Sequence, residues 1–456
     1  MRIYSHEGYS LFTKLCENET KNMLSDMKRY FKEAMGELRR YPLIGLINVI
    51  GTALAILLIM LVVMLQQVRV ASFAPESGRD RFLHVNAGTI GYVGKSGYRS
   101  NAPIGKPLFE VLYDSLEHVQ AASLYGFRTD VARLSVVGGT TLSADLLGTD
   151  EGFWKVFDFA FLAGHPYDRA ALDARSRVAV VSESVARRLF GTTDAEGRDF
   201  LLGYEPFRVC GVVRDVSTLA SKAYAQVWVP YTATGQDEAF FFHNLLGWFR
   251  CTLLAEHRSD FAAIRSEIDR RTRAFNASLE ATGIELLSMG RPYDQEKASM
   301  AFVGNVEPDV EGVRRTRWAT YLVLLLVPAI NLSSMTQSRL RGRVAEIGVK
   351  RAFGCTRSRL LWQLLMENLA VTLLAGGLGL LLSVGVAYAF GDLLFAQPYS
   401  TSMVPPRLEA AMLLRPSTFG WALGACFVLN VLSAGVPAWR ATRVRVVDAL
   451  NGRLHR

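Results

Sequence analysis

The sequence predicts a membrane protein with four transmembrane α-helices and a large α+β extracytoplasmic domain inserted between helices 1 and 2. Three observations predict it. Four apolar runs, 43–65, 318–335, 369–390 and 419–439, have about the length that crosses a bilayer. The intervening stretch 66–317 has no such run and alternates short β-rich segments with helical ones. Lys and Arg gather in alternate connections, as expected on the cytoplasmic side. Composition agrees. Half of the 456 residues (50%) are hydrophobic, high for a soluble chain and low for one lying wholly in lipid.

Taken in order, residues 1–42 form a cytoplasmic leader. Within it Leu24, Met27, Phe31, Met35 and Leu38 recur at helical spacing, with Lys28, Arg29, Lys32, Arg39 and Arg40 between them. That pattern predicts a basic amphipathic helix lying in the membrane interface. The run 43–65 is the first span, read as an uncleaved anchor, with Asn48 as its one strongly polar side chain. In the outer stretch, Arg177–Ser182 reads as a buried strand by its Val content. Glu183–Phe190 reads as a short helix closed by Gly191. Phe207–Val213 and Gln226–Val229 read as further strands, and Phe261–Leu279 as a helix. Two subdomains are expected for a stretch of this size.

The second span, 318–335, contains Pro328, Asn331, Ser333 and Ser334, so its helix is expected to begin earlier, in water. The connection 336–368 is short, basic and amphipathic, with seven Lys or Arg between Arg339 and Arg359 against the single acid Glu346. The third span, 369–390, carries Gly376, Gly377 and Gly379, read as sites of close helix packing. The loop 391–418 contains Pro398, Pro405 and Pro406, and its only basic residues are Arg407 and Arg415. The fourth span, 419–439, leads into the basic tail 440–456. These charges put both termini in the cytoplasm and 66–317 outside. Arg314, Arg315 and Arg317 sit on the outer side against this rule, which long translocated domains tolerate.

The net charge of +9 sits beside the spans, where it meets anionic lipid headgroups, and nucleic-acid binding is not expected. The five Cys have no metal-ligand spacing. Cys210 and Cys251 both lie on strand-like stretches, and a bridge between them is left open. Gly94-Lys95-Ser96 resembles the end of a phosphate-binding loop, but the required earlier glycine is replaced by Thr89, so the segment reads as a turn. The seven His form no His-Glu-x-x-His, and no Gly-x-Ser-x-Gly occurs. No enzyme site is expected, and any motor must come from another chain.

Four stretches resemble one family, the FtsX-like/MacB-like permeases of ABC transporters. Tyr30–Ala55 is similar to the family's leader and first span. Arg177–Ser217 and Val227–Tyr231 are similar to its MacB-like extracytoplasmic core domain. Glu346–Gly354 (Glu-Ile-Gly-Val-Lys-Arg-Ala-Phe-Gly) is the most specific signature, and Pro437–Leu450 resembles the terminal motif. The resemblance implies a dimer with a second permease copy or paralogue in the bacterial inner membrane. It implies a cytoplasmic ATPase subunit in trans that holds the ATP and magnesium, with no cofactor on this chain. It assigns ATPase coupling to Glu346, Ile347, Gly348, Lys350, Arg351 and Gly354. A periplasmic adaptor or outer-membrane channel is left open as a further partner. The leading expectation is mechanotransmission, in which ATP-driven closure inside moves the outer domain to export or extract a substrate. The alternative transports nothing and signals to an outer partner such as a cell-wall hydrolase.

Overall fold

In the computed structural model the described residues are 36, 42–94, 97–238, 240–242, 244–301, 304–352, 355–395, 404, 407–408, 410–413 and 415–443. The expected interfacial helix of the leader lies outside them, Gly36 excepted. The chain divides into two compact units. One comprises 1–64, 313–389 and 413–456; the other comprises 65–312 and 390–412.

The first unit is helical. Long helices span Pro42–Val70, Val310–Gly342, Arg357–Ala389 and Pro416–Arg443, with a short helix at Val344–Ala352. Among the described residues three helices are long and apolar enough to cross a membrane: Gly45–Val70, Arg357–Ala389 and Pro416–Thr442. The expected second span lies within Val310–Gly342, which does begin before the apolar run. The helices overrun the expected bounds because helical hydrogen bonding does not stop where the apolar residues stop. The first continues five residues past Leu65. The basic connection 336–368 is divided, its first part completing one helix and 357–368 opening the next. Ile56, Met60, Ala425 and Leu429 pack the bundle interior. On the first helix Leu46, Ile50, Leu54 and Leu58 form an exposed apolar stripe at four-residue spacing. A stripe of that kind suits lipid rather than water. Trp318, Tyr321 and Trp421 stack with ring centroids 5.7–6.1 Å apart.

The second unit is α+β. Its larger sheet contains β1 (Phe82–Val85), β4 (Val119–Gly126), β5 (Asp130–Ser135), β6 (Thr141–Thr149), β7 (Phe161–Gly164), β8 (Val178–Ser182), β9 (Asp199–Leu202), β10 (Glu205–Val213), β11 (Val227–Pro230), β12 (Phe249–Ala255) and β14 (Tyr293–Asp294). The order β11-β8-β10-β9-β5-β6 closes on itself, because β11 also pairs in parallel with β6. From β6 the sheet continues through β4, β12, β1 and β14. A separate small sheet joins β13 (Ile284–Leu286), β2 (Gly88–Tyr92) and β3 (Arg99–Ala102).

Strand alternation builds the cores. On β8, Ala179 and Val181 enter the core inside the closed ring with Val209 and Val229. Val180, facing the other way, joins Trp228, Phe153 and Phe157. The helix Glu183–Phe190 covers the ring with Val185, Ala186 and Leu189. It ends on Gly191 at φ +75°, the left-handed conformation that a helix stop uses. In the other half, Phe261–Leu279 lays Ile264 and Ile268 against Leu83, Val85 and Leu253.

Cys210 and Cys251 are both free. The Cys210 thiol donates to Ala179 O at 3.4 Å, and Cys251 is buried on β12. The strands carrying them belong to different halves of the sheet, so the bridge left open by the sequence does not form. Gly94 has φ +77°, as a turn requires; Lys95 and Ser96 lie outside the described residues.

Candidate functional site

The candidate coupling site is built around the break between two helices. Val310–Gly342 ends at Gly342, and Arg343 starts the short helix Val344–Ala352 by accepting from Ile347 N at 3.0 Å. The Arg343 guanidinium meets Glu367 Oε2 at 2.7 Å. Gln363 donates to the other Glu367 oxygen at 2.9 Å. The Glu367 side chain is only 8% exposed. A carboxylate this buried is tolerated because it is paired and hydrogen-bonded. Sequence reading left Glu367 just outside the third span and missed this pair.

The expected coupling residues divide by helical geometry. Ile347 is buried with Leu340, Leu360, Leu364 and Ala438. Gly348 is buried as well. Arg351 donates to Thr442 O at 3.2 Å, near the end of Pro416–Arg443. A cation there also complements the negative pole of that helix. At 100° per residue, positions 347, 348 and 351 share the inward side. Positions 346 and 350 lie on the opposite side with Val349, which is 43% exposed. The side chains of Glu346 and Lys350, and all of Gly354, lie outside what is described. Of the six expected coupling residues, Ile347, Gly348 and Arg351 seat the short helix against its neighbours in the helical unit.

The three packing glycines also divide. A Cβ on Gly376 would meet Cys426 Sγ, and one on Gly379 would lie 2.6 Å from Ala53 O and 3.0 Å from Ile56. A Cβ on Gly377 would meet nothing within 4 Å among the described residues. Residues three apart share a helix face, while the intervening one is turned away. Nearby, Asn368 donates to Asn430 Oδ1 at 2.6 Å, and Asn430 to Leu365 O at 3.2 Å. These amides pin the third helix to the fourth.

In the other unit, buried polar groups cluster where the first helix enters. Arg79 and Glu76 pair at 2.7 Å with side chains 1% and 0% exposed. Lys222 Nζ donates to Asn86 at 2.8 Å. Burial, then the nearby Arg250 charge, lowers the Lys222 ammonium to about 7. Burial, then Lys222, keeps His84 well below its usual range. His84 contacts Thr252 Oγ1 at 3.0 Å and Gln295 Oε1 at 2.8 Å. Because Gln295 spends its amide NH on Arg69 O, its oxygen faces His84, which assigns the imidazole proton to Nε2. Asp150 accepts from Ser123 Oγ, Leu124 N and Phe153 N at 2.7, 2.6 and 2.9 Å. Burial nevertheless pushes it up to about 7.

Among the described residues, one group of metal-type ligands converges: His118, Glu256 and Asp260, with ligand atoms within 4.8 Å. Asp260 already caps its own helix start by accepting from His257 N at 3.0 Å. No sequence motif pointed to this group.

Residues 46–271 match the family model described as MacB-like periplasmic core domain, and 318–446 match that described as FtsX-like permease C-terminal. The macrolide export ATP-binding/permease protein MacB of Chromobacterium violaceum is 25% identical over 317 residues, covering 68% of this chain and 43% of that protein. MacB 1 of Yersinia pestis bv. Antiqua (strain Antiqua) is 26% identical over 322 residues, covering 69% and 44%. The chain thus spans less than half the length of these curated relatives. The crystal structure of the periplasmic region of MacB from Actinobacillus actinomycetemcomitans aligns with 18% identity and a TM-score of 0.32, covering 45% of this chain and 89% of that one.

Proposed function

The chain belongs to the FtsX-like permeases that carry a MacB-like periplasmic core domain, and on that premise we propose that it is the permease subunit of an ABC transporter working by mechanotransmission. A separate cytoplasmic ATPase, holding ATP and magnesium, docks on the basic segment around Val344–Ala352. Its closure moves the helices, and they move the extracytoplasmic domain. The MacB relatives are named for macrolide export; here the substrate is proposed only as one handled from the outer side or the membrane surface. A second permease, identical or paralogous, completes the dimer.

The observation that carries this reading is the make-up of the outer unit. Residues 390–412 belong to the same compact unit as 65–312, and Arg407 joins Asp215 at 2.6 Å. Two segments in contact lie on one side of a membrane. The chain leaves this unit after 312 and returns at 390, through the two long helices Val310–Gly342 and Arg357–Ala389. An even number of crossings satisfies that path, which supports four spans with both termini inside. Both outer loops then feed one body, as a mechanical output requires.

Positions 346 and 350 face away from the residues that seat the coupling helix, so they are the proposed docking positions. Reversing charge there, with Glu346→Lys or Lys350→Glu, leaves the protein inserted and lowers ATP-driven output about tenfold, roughly 1.4 kcal/mol of coupling. Undiminished output in both variants contradicts the assignment.

A further inference from the structure

Residues 215–225 connect β10 to β11 without forming helix or strand. An irregular segment usually lies on the surface, where water satisfies its backbone. This one is buried: Ala220, Ala223 and Ala225 are 0%, 0% and 1% exposed. Its backbone groups must therefore find protein partners, and the partners come from both points where the chain enters the unit.

The first entry is the end of Pro42–Val70. No glycine closes this helix; beyond Val70 the chain continues through Ala71, Ser72 and Phe73 in non-helical form. Its last carbonyls take donors from elsewhere. Arg79 donates to Val68 O at 2.8 Å and Ala71 O at 3.1 Å, and also to Leu219 O at 2.9 Å. Its partner Glu76 accepts from the backbone N–H of Lys222 at 2.7 Å and of Ala223 at 3.0 Å. One buried ion pair thus holds both the helix end and the middle of the segment.

The second entry is the 390–412 loop. Arg407 pairs with Asp215, and Ser217 Oγ donates to Arg407 O at 2.7 Å. Further bonds of the segment reach both halves of the sheet. Tyr224 donates to Asp145 on β6 at 2.7 Å, and Arg250 on β12 donates to Ser221 O at 3.0 Å.

We infer that residues 215–225 are a relay that gathers movement from the first membrane helix through Arg79 and from the 390–412 loop through Arg407, and passes it to both halves of the outer domain. The inference rests on the permease reading, since only there does such movement serve a function. A lysine at 79 has one compact ammonium and cannot span three carbonyls and a carboxylate.

The test is amide hydrogen exchange on the full chain in lipid nanodiscs, perturbing one entry and reading at the other. Arg407→Glu is expected to speed exchange at Lys222 and Ala223 at least tenfold, and at Ala71 several-fold. Arg79→Lys is expected to speed exchange at the Ser184 amide, which Asp215 holds at 2.9 Å. The double exchange Asp215→Arg with Arg407→Asp is expected to restore protection at Lys222, Ala223 and Ala71, but not at Ser184, whose acceptor it removes. Unchanged protection on β8 and β12 shows that each variant is folded. Effects confined to each mutated residue's own contacts, in a folded variant, overturn the relay. This outcome is separate from the permease reading, which capture of an ATPase subunit tests.

Discussion

Lys222, half-buried, and Asp150, buried, are ionisable groups of the α+β unit, and desolvation moves both toward neutrality. For Lys222 the folded pKa falls to about 7 from the usual range near 10.5. Between these values the unfolded chain binds more protons than the folded one. Stability therefore rises with pH from about 7 to about 10 and is lost as pH falls through 7. The stability of the wild type relative to Lys222→Gln, read by thermal unfolding over that range, is expected to rise with pH. Asp150 is held by three donors and offers none of them an alternative acceptor. In Asp150→Asn an amide N–H faces one of those donors, so a loss of about 2–3 kcal/mol is expected in denaturant unfolding. A loss below about 0.5 kcal/mol contradicts the assigned network.

The elements show what the sequence made legible. Val178–Ser182 and Glu183–Phe190 were readable because local chemistry specifies them: a run of Val on a two-sided strand, then a helix stopped by Gly191. The Arg343–Glu367 pair was not, because Glu367 adjoins an apolar run and its partner is 24 residues away. The 391–418 stretch read as a mere connection because the partners that place Arg407, Asp215 and Ser217, lie about 190 residues earlier. Spacing alone could not say which of the three glycines faces a neighbour within the chain, as Gly376 and Gly379 do. Their separation makes a test. Gly379→Val is expected to lose about 1–3 kcal/mol of stability in detergent through overpacking against Ala53 and Ile56, and Gly376→Val similarly against Cys426. Gly377→Ala is expected to be neutral or slightly stabilising, since its side meets nothing and alanine favours a helix.

At the scale of the molecule, the helical unit and the α+β unit share one continuous helix, Pro42–Val70, and the second unit takes in a late loop as well. In the proposed mechanism the outer domain is driven from more than one attachment. The proposed orientation puts Cys355 inside. A membrane-impermeant thiol reagent applied to intact cells is expected to spare Cys355 and to label it once the membrane is opened. The most direct measurement of the central claim is photo-crosslinking from a reactive residue at position 350 of the full chain in native membranes, followed by identification of the captured protein. Capture of an ATP-binding subunit, lost when the reactive residue is moved to the inward position 347, is the result the account predicts. Capture of lipid alone at both positions, with the chain intact and inserted, would contradict ATPase coupling through this segment.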